Sequence, residues 1–175
     1  MKDGLRMAHD RGYTHALQID ADRQHDCADI ERFLREAQSN PHAFIIGAAR
    51  FDASIPTHRR LARGLTHLWV WINTLSFDIE DSMCGFRVYP LAIVTPLLDE
   101  PCLGDRMEFD MEILVRAHWR GHTFVNVPTK VEYPVTGVSH FRLVRDNVLI
   151  SAMHARLFFG MLFRLPALVW RRARR

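Results

Sequence analysis

The sequence predicts an α/β protein with a mostly parallel sheet and a C-terminal amphipathic helix. Three observations carry that expectation. Two short apolar runs, Ala16-Leu17-Gln18-Ile19 and Ala43-Phe44-Ile45-Ile46-Gly47, have the length and flanks of buried strands. Segments with helical periodicity alternate with them, the pattern of a sheet covered on both faces. From Asn147 to Trp170 the chain is strongly apolar, interrupted by His154, Arg156, Arg164 and Pro166.

A chain of 175 residues lies within the range of one domain, and 48% hydrophobic with 25% charged residues describes an ordinary globular protein. The formal net charge is +3, but Arg171, Arg172, Arg174 and Arg175 cluster at one end, so the rest is near neutral. Such local basicity suits an anionic membrane surface and argues against a nucleic-acid-binding face. Cys27, Cys84 and Cys102 are odd in number and far apart, without zinc or redox spacing, as in a reducing cytoplasm. The first residues, Met1-Lys2-Asp3-Gly4, hold no apolar signal segment.

Taken in order, residues 5 to 11 read as the end of a helix capped by Gly12, and the first strand follows. Ile30, Phe33, Leu34 and Ala37 recur at i, i+3, i+4 and i+7, an amphipathic helix with Asp29 near its start and Asn40-Pro41 at its end. The second strand is expected to run parallel to the first. From Thr57 to about Leu75, the residues Leu61, Leu65, Leu68, Ile72 and Leu75 form a helical stripe. It reads as core, with Arg59, Arg60 and Arg63 on a solvated face and lipid contact as the lesser alternative. The acidic loop Asp78 to Gly85 leads into a short strand, and Pro90 opens an apolar helix. Residues 107 to 120 form another helix, capped by Gly121, with Phe109, Ile113 and Ala117 on one face. Glu108, Asp110 and Glu112 complement the dipole at its start. A hairpin-like pair, Thr123 to Val127 and Lys130 to Tyr133, precedes the polar loop Thr136 to His140. A spanning helix needs about 20 mostly apolar residues. The interruptions after Asn147 favour an interfacial helix instead, with Trp170 and the arginines at headgroup level, and a C-terminal helix packed on the domain is the alternative.

Chemistry concentrates in two loops. Asp20 and Asp22 follow the first strand, at the edge where open α/β sheets bind ligands. Hard oxygen donors suit Mg²⁺ or Mn²⁺ bridged to phosphate, with Gln24 and His25 as further ligands or holders of a bound water. The competing reading is an acidic turn that caps the next helix. Asp81 precedes Gly85-Phe86-Arg87. Its carboxylate could take a proton from an attacking hydroxyl or hold a sugar hydroxyl, while Arg87, or Arg50 after the second strand, could hold phosphate. A surface Asp-Arg pair of little energetic weight is the alternative. Ser139-His140 does not form a nucleophile and base, and neither a Walker loop nor Gly-x-Gly-x-x-Gly is present.

Four segments, Asp20-Ala21-Asp22-Arg23-Gln24-His25, Asp81 to Arg87, Glu108 to Glu112, and Val127-Pro128 followed by Gly137-Val138-Ser139-His140, carry a family likeness. Over roughly residues 1 to 145 the chain resembles the family 2 glycosyltransferases of the GT-A fold, particularly dolichyl- or polyprenyl-phosphate sugar synthases. The resemblance implies a three-layer sandwich, Mg²⁺ or Mn²⁺ and a donor diphosphate at Asp20 and Asp22 assisted by Gln24, and phosphate at Arg50 and Arg87. It implies Asp81 as the catalytic base for an inverting displacement at the anomeric carbon of a nucleotide-sugar. A phosphate monoester acceptor would need little base and shift Asp81 toward positioning. The implied acceptor is a lipid phosphate or another membrane-associated molecule, at the cytoplasmic face of the cell membrane. Two departures stand out. Arg23 replaces a residue that is often Gly, and only a short stretch precedes the Asp-x-Asp strand, where the family has a further strand and an acidic site for base and ribose. Residues 1–145 therefore read as an N-terminally truncated transferase domain and 146–175 as a helix with a basic tail. The missing part is expected in a longer product or a partner chain. The alternative is an inactive remnant acting at the membrane surface.

Overall fold

Glycine positions set where two helices stop. In α1 (Lys2–Asp10) the chain ends in Arg11 and Gly12, which takes φ +81°. The N–H groups of Gly12 and Tyr13 return to the carbonyls of His9 and Ala8, a full Schellman motif. Gly121, at φ +87°, ends α5 (Phe109–Trp119) the same way, with Gly121 and His122 donating to His118 and Ala117. The other elements are β1 (His15–Gln18), α2 (Ile30–Ser39), β2 (Ala43–Phe51), α3 (Thr57–Thr74), β3 (Arg87–Pro90), α4 (Leu91–Leu98), β4 (Thr123–Val131) and α6 (Leu143–Ala173). The computed structural model describes residues 1–51, 57–131 and 142–173. Tyr133, the loop Thr136 to His140 with Ser139 and His140, and Arg174 and Arg175 lie outside them.

The four strands form one mixed sheet in the order β1-β3-β2-β4. β2 is apolar throughout its first half because both of its faces are covered: Ala43 and Ile45 meet Phe33 and Phe86 on the α2 side, Phe44 and Ile46 meet the α4 and α5 side. Phe33 and Phe86 stack with centroids 4.0 Å apart. The expectation of a mostly parallel sheet holds in strand direction for β1, β2 and β4, and the sheet is mixed because of β3. β3 runs antiparallel to both β1 and β2, so β1 and β2 share a direction without being neighbours, and only β2 and β4 pair in parallel. A four-residue apolar run carries no direction; the connection decides it. After α3 the chain turns back within the acidic loop, where the Asp81 carboxylate accepts the N–H groups of Met83 and Cys84, and Gly47 donates to the Phe86 carbonyl.

The expected hairpin is corrected, because Thr123 to Val131 is one continuous strand, with Pro128 in register with Ala48. Apart from a single bridge to His25, the described residues pair β4 on one side only, and a proline is tolerated on such an edge.

The leucine stripe of α3 does not face the core. Leu61, Leu65 and Leu68 are 70%, 58% and 48% exposed, while Val70, Asn73 and Thr74 on the opposite side are buried. Glu112 is likewise more than a dipole partner: it is fully buried and receives Arg116, Arg156 and the Gly104 N–H.

α6 begins at Leu143, inside the segment assigned to the transferase domain, and continues through Pro166 without breaking. Met153, His154, Leu157 and Met161 before that proline, and Leu168 after it, are buried, so packing on both sides offsets the lost backbone hydrogen bond. By length and composition α6 is apolar enough to cross a membrane.

Candidate functional site

The acidic loop leaves β1 at Gln18 and brings Asp20 against the backbone of Gly85, where a Cβ would collide with the Asp20 carboxylate. Burial, then the neighbouring charges of Asp110 and Asp22, raise the Asp20 pKa; His25 and a hydrogen bond from Gln18 oppose them. Asp22 accepts the Gln24 N–H at 3.0 Å, which closes the turn, and Arg23 sits at φ +63°, the left-handed region that favours glycine. Asp26, not Asp20 or Asp22, does the capping, by accepting the Ala28 N–H at 2.9 Å. Asp110, assigned above to a helix dipole, belongs with the loop carboxylates. We expect Gly85→Ala to displace Asp20 and to destabilise the fold by about 1–3 kcal/mol. Urea unfolding measures it, and an unchanged midpoint would show that the Asp20 carboxylate gives way without cost.

Arg87 does not line an open surface. It has no exposure, and each guanidinium nitrogen donates to protein: Nε to the Cys84 carbonyl, Nη2 to the Ser82 carbonyl, Nη1 to the Asp110 carbonyl and the Tyr89 hydroxyl. The Tyr89 hydroxyl in turn donates to Gln18 at 2.8 Å, and burial pushes its pKa up to about 12. Arg87 therefore ties the acidic loop of residues 78–85 to β3 and to the start of α5, beneath Asp20. In this arrangement its part is positioning rather than contact with phosphate.

Asp81 is almost fully buried and richly bonded. Its Oδ1 accepts Arg63 Nη2 at 2.8 Å and the N–H groups of Met83 and Cys84; its Oδ2 accepts Arg63 at 2.6 Å and the Ala49 N–H. His67 Nε2 stands 3.7 Å away. Burial alone would raise its pKa, but Arg63, His67 and the backbone donors hold it below the usual carboxylate range. A carboxylate so saturated is a weak proton acceptor and a strong anchor for Arg63. Arg63 also lies over the Phe51 ring at 4.8 Å, and its buried Nε has no partner among the described residues.

Arg63 forms part of an open pocket of about 320 Å³ lined also by Arg50, Arg60, Gly64 and His67 and by the carboxylates of Glu80 and Asp81. Arg63 is bound by Asp81 at 2.6 Å, and Arg50 meets Glu80 at 3.4 Å in an exposed pair of little strength. Three guanidinium groups outnumber the two carboxylates around this concave surface, a balance that suits an anion such as phosphate. The spacing Arg60, Arg63, Gly64 and His67 is one helix face and is visible in the sequence, but only the turn at Asp81 places it against the end of β2. His25 joins the two halves: its pKa, lowered first by burial, is raised by Asp20, Asp22 and Asp81 and lowered by Arg63.

Among the described residues no three His, Cys, Asp or Glu side chains converge tightly enough to hold a metal by themselves. Mg²⁺ is usually held by one or two carboxylates together with substrate phosphates, so the oxygen donors of Asp20 and Asp22, with Gln24 beside them, fit that mode of binding. Burial is the first cause of the raised Asp20 pKa, and the neighbouring charges of Asp110 and Asp22 add to it.

Fold and side chains together define a mixed α/β protein with an acidic loop beside a basic pocket. No protein-family model matches the chain. An uncharacterized protein of Methanocaldococcus jannaschii is 29% identical over 133 residues, which cover 73% of this chain and 56% of that protein. The chain spans little more than half the length of that relative.

Proposed function

We propose that the chain is the acceptor-side and metal-binding part of a membrane-associated glycosyltransferase. It would move a sugar from a nucleotide-sugar to a lipid phosphate at the cytoplasmic face of the membrane. The observation that carries this reading is that the loop of residues 81–85 touches both parts: Gly85 lies against the Asp20 carboxylate, and Asp81 holds Arg63 of the pocket that Arg50, Arg60 and His67 also line. Asp20 and Asp22, assisted by Gln24, would hold Mg²⁺ or Mn²⁺, which when bound would supply Lewis-acid stabilisation of a leaving diphosphate. Arg60, Arg63 and Arg50 bind the acceptor phosphate and orient its oxygen toward the anomeric carbon. That oxygen is already anionic, so no strong base is required, and Asp81 holds Arg63 in place. Arg87 holds the loop that carries Asp81.

α6 supports the membrane-associated part of this reading. It is docked along its length through Met153, Leu157, Met161 and Leu168, and Arg171 donates to the His118 and Trp119 carbonyls at the end of α5. A helix held flank-on by its own domain lies in the plane of a bilayer more readily than across it.

The test is sugar transfer to polyprenyl phosphate from UDP- and GDP-sugars with Mn²⁺, using this chain. Asp22→Ala is expected to lower transfer at least about 100-fold. Full transfer by that variant would overturn the metal assignment. Vesicle binding without any nucleotide binding would leave a non-catalytic membrane-surface protein instead.

A further inference from the structure

Twelve of the eighteen large apolar side chains that stand exposed among the described residues lie on two helices, α3 and α6. On α6 the outward series that starts at Val144 continues in three- and four-residue steps through Phe159 and Leu162 to Val169 and contains no charged residue. It lies opposite the face that packs on the domain. On α3 the outward series is Leu61, Leu65 and Leu68. The two helices pack side by side: Trp69, next to Leu68, stacks on His154 at 6.0 Å and meets Phe158 at 6.2 Å.

Charge says what kind of surface covers them. α3 contains no acidic residue, and the single one in α6, Asp146, has no exposure. Arg60, Arg145, Arg164 and Arg172 are all exposed. A second copy of this chain would set these cations against one another, whereas an anionic bilayer would accept them at its headgroups and the leucines beneath.

We propose that Leu61, Leu65 and Leu68 of α3 insert together with the outward face of α6 into one anionic lipid surface. This rests on the membrane-associated reading above and adds a second insertion element to it. The consequence reaches the site: Arg60, Gly64 and His67 form the helix column beside Leu61, Leu65 and Leu68, so insertion sets the basic pocket at headgroup depth. A phosphate on a lipid then meets Arg60 and Arg63 without leaving its membrane.

The experiment uses the full chain with Cys27→Ser and Cys102→Ser, and an environment-sensitive fluorophore on Leu65→Cys or Phe163→Cys. Vesicles contain phosphatidylglycerol, with or without nitroxide-labelled acyl chains. Both labels are expected to shift to the blue and to be quenched by the nitroxide lipid. Leu61→Gln, Leu65→Gln and Leu68→Gln combined are expected to lower vesicle partitioning about 10- to 100-fold, with the thermal midpoint unchanged because all three are exposed. Quenching at 163 without quenching at 65 would overturn the proposal and leave α6 as the sole anchor. Quenching at neither position, with the protein left in solution, would overturn the membrane reading itself. A doubled mass without lipid that the triple variant abolishes would assign the stripe to a second copy and also overturn the proposal.

Discussion

Replacing Arg63 by Met is expected to destabilise the fold by about 3–5 kcal/mol at neutral pH and, on the transferase reading proposed above, to lower sugar transfer at least about 100-fold. The second effect follows from its place in the basic pocket, the first from what it leaves behind. Asp81 would remain buried with only the backbone donors of Ala49, Met83 and Cys84 and the more distant His67. The loss has a definite pH dependence. The folded pKa of Asp81 is depressed, so its ionised form stabilises the fold above the unfolded value of about 3.9, and that stabilisation fades as pH falls through the folded pKa. Below it Asp81 is protonated, and the gap between wild type and Arg63→Met should narrow. Urea unfolding at neutral pH and in acid measures this. A gap of constant size would mean that Arg63 acts by packing on Phe51 rather than by charge. Combining Arg63→Met with Asp81→Asn should restore much of the stability while transfer stays lost.

What was legible in the sequence depended on whether a local rule alone decided the outcome. Gly12 and Gly121 end helices because only a left-handed residue completes the Schellman pair, and nothing distant alters that. The apolar run of β2 implied cover on both faces and received it. Asp20 and Asp22 could be placed at a strand edge because chain order and the turn residues suffice. Other features needed the third dimension. Helical periodicity shows that Leu61, Leu65 and Leu68 share a side of α3 but not whether that side looks inward. The direction of β3 depends on the Asp81 turn, and no pattern within Arg87 to Pro90 encodes it. Arg87 and Arg63 have the same chemistry in one dimension. In the fold, one is a buried tie between backbone carbonyls and the other lines the pocket, a difference set by the neighbours that each meets.

Glu112 carries the largest structural consequence of that kind. Its Oε1 accepts Arg116 Nη2 at 2.6 Å and Arg156 at 2.9 Å, while Oε2 accepts Arg156 at 2.9 Å and the Gly104 N–H at 3.0 Å. It is therefore the polar tie between α5, the loop before it and α6. Glu112→Ala is expected to cost about 3–5 kcal/mol, because Arg116 would stay buried with Glu100 as its remaining carboxylate partner. Against a total stability on the order of 5–15 kcal/mol that is a large share. The damage should concentrate in α6, whose central turns around Met153 and Leu157 depend on Arg156 for their polar anchor. Hydrogen exchange in residues 150–161 should accelerate more than in β2, and vesicle binding should become less dependent on the α3 leucines as α6 swings free. Glu112→Gln keeps the shape and the acceptor for Gly104, so it should cost less than the alanine variant. Equal losses in the two variants would indicate that volume, not charge, holds α6. A change below about 1 kcal/mol with unaltered exchange would mean that the apolar contacts of α6 suffice and that this buried triad only selects its register.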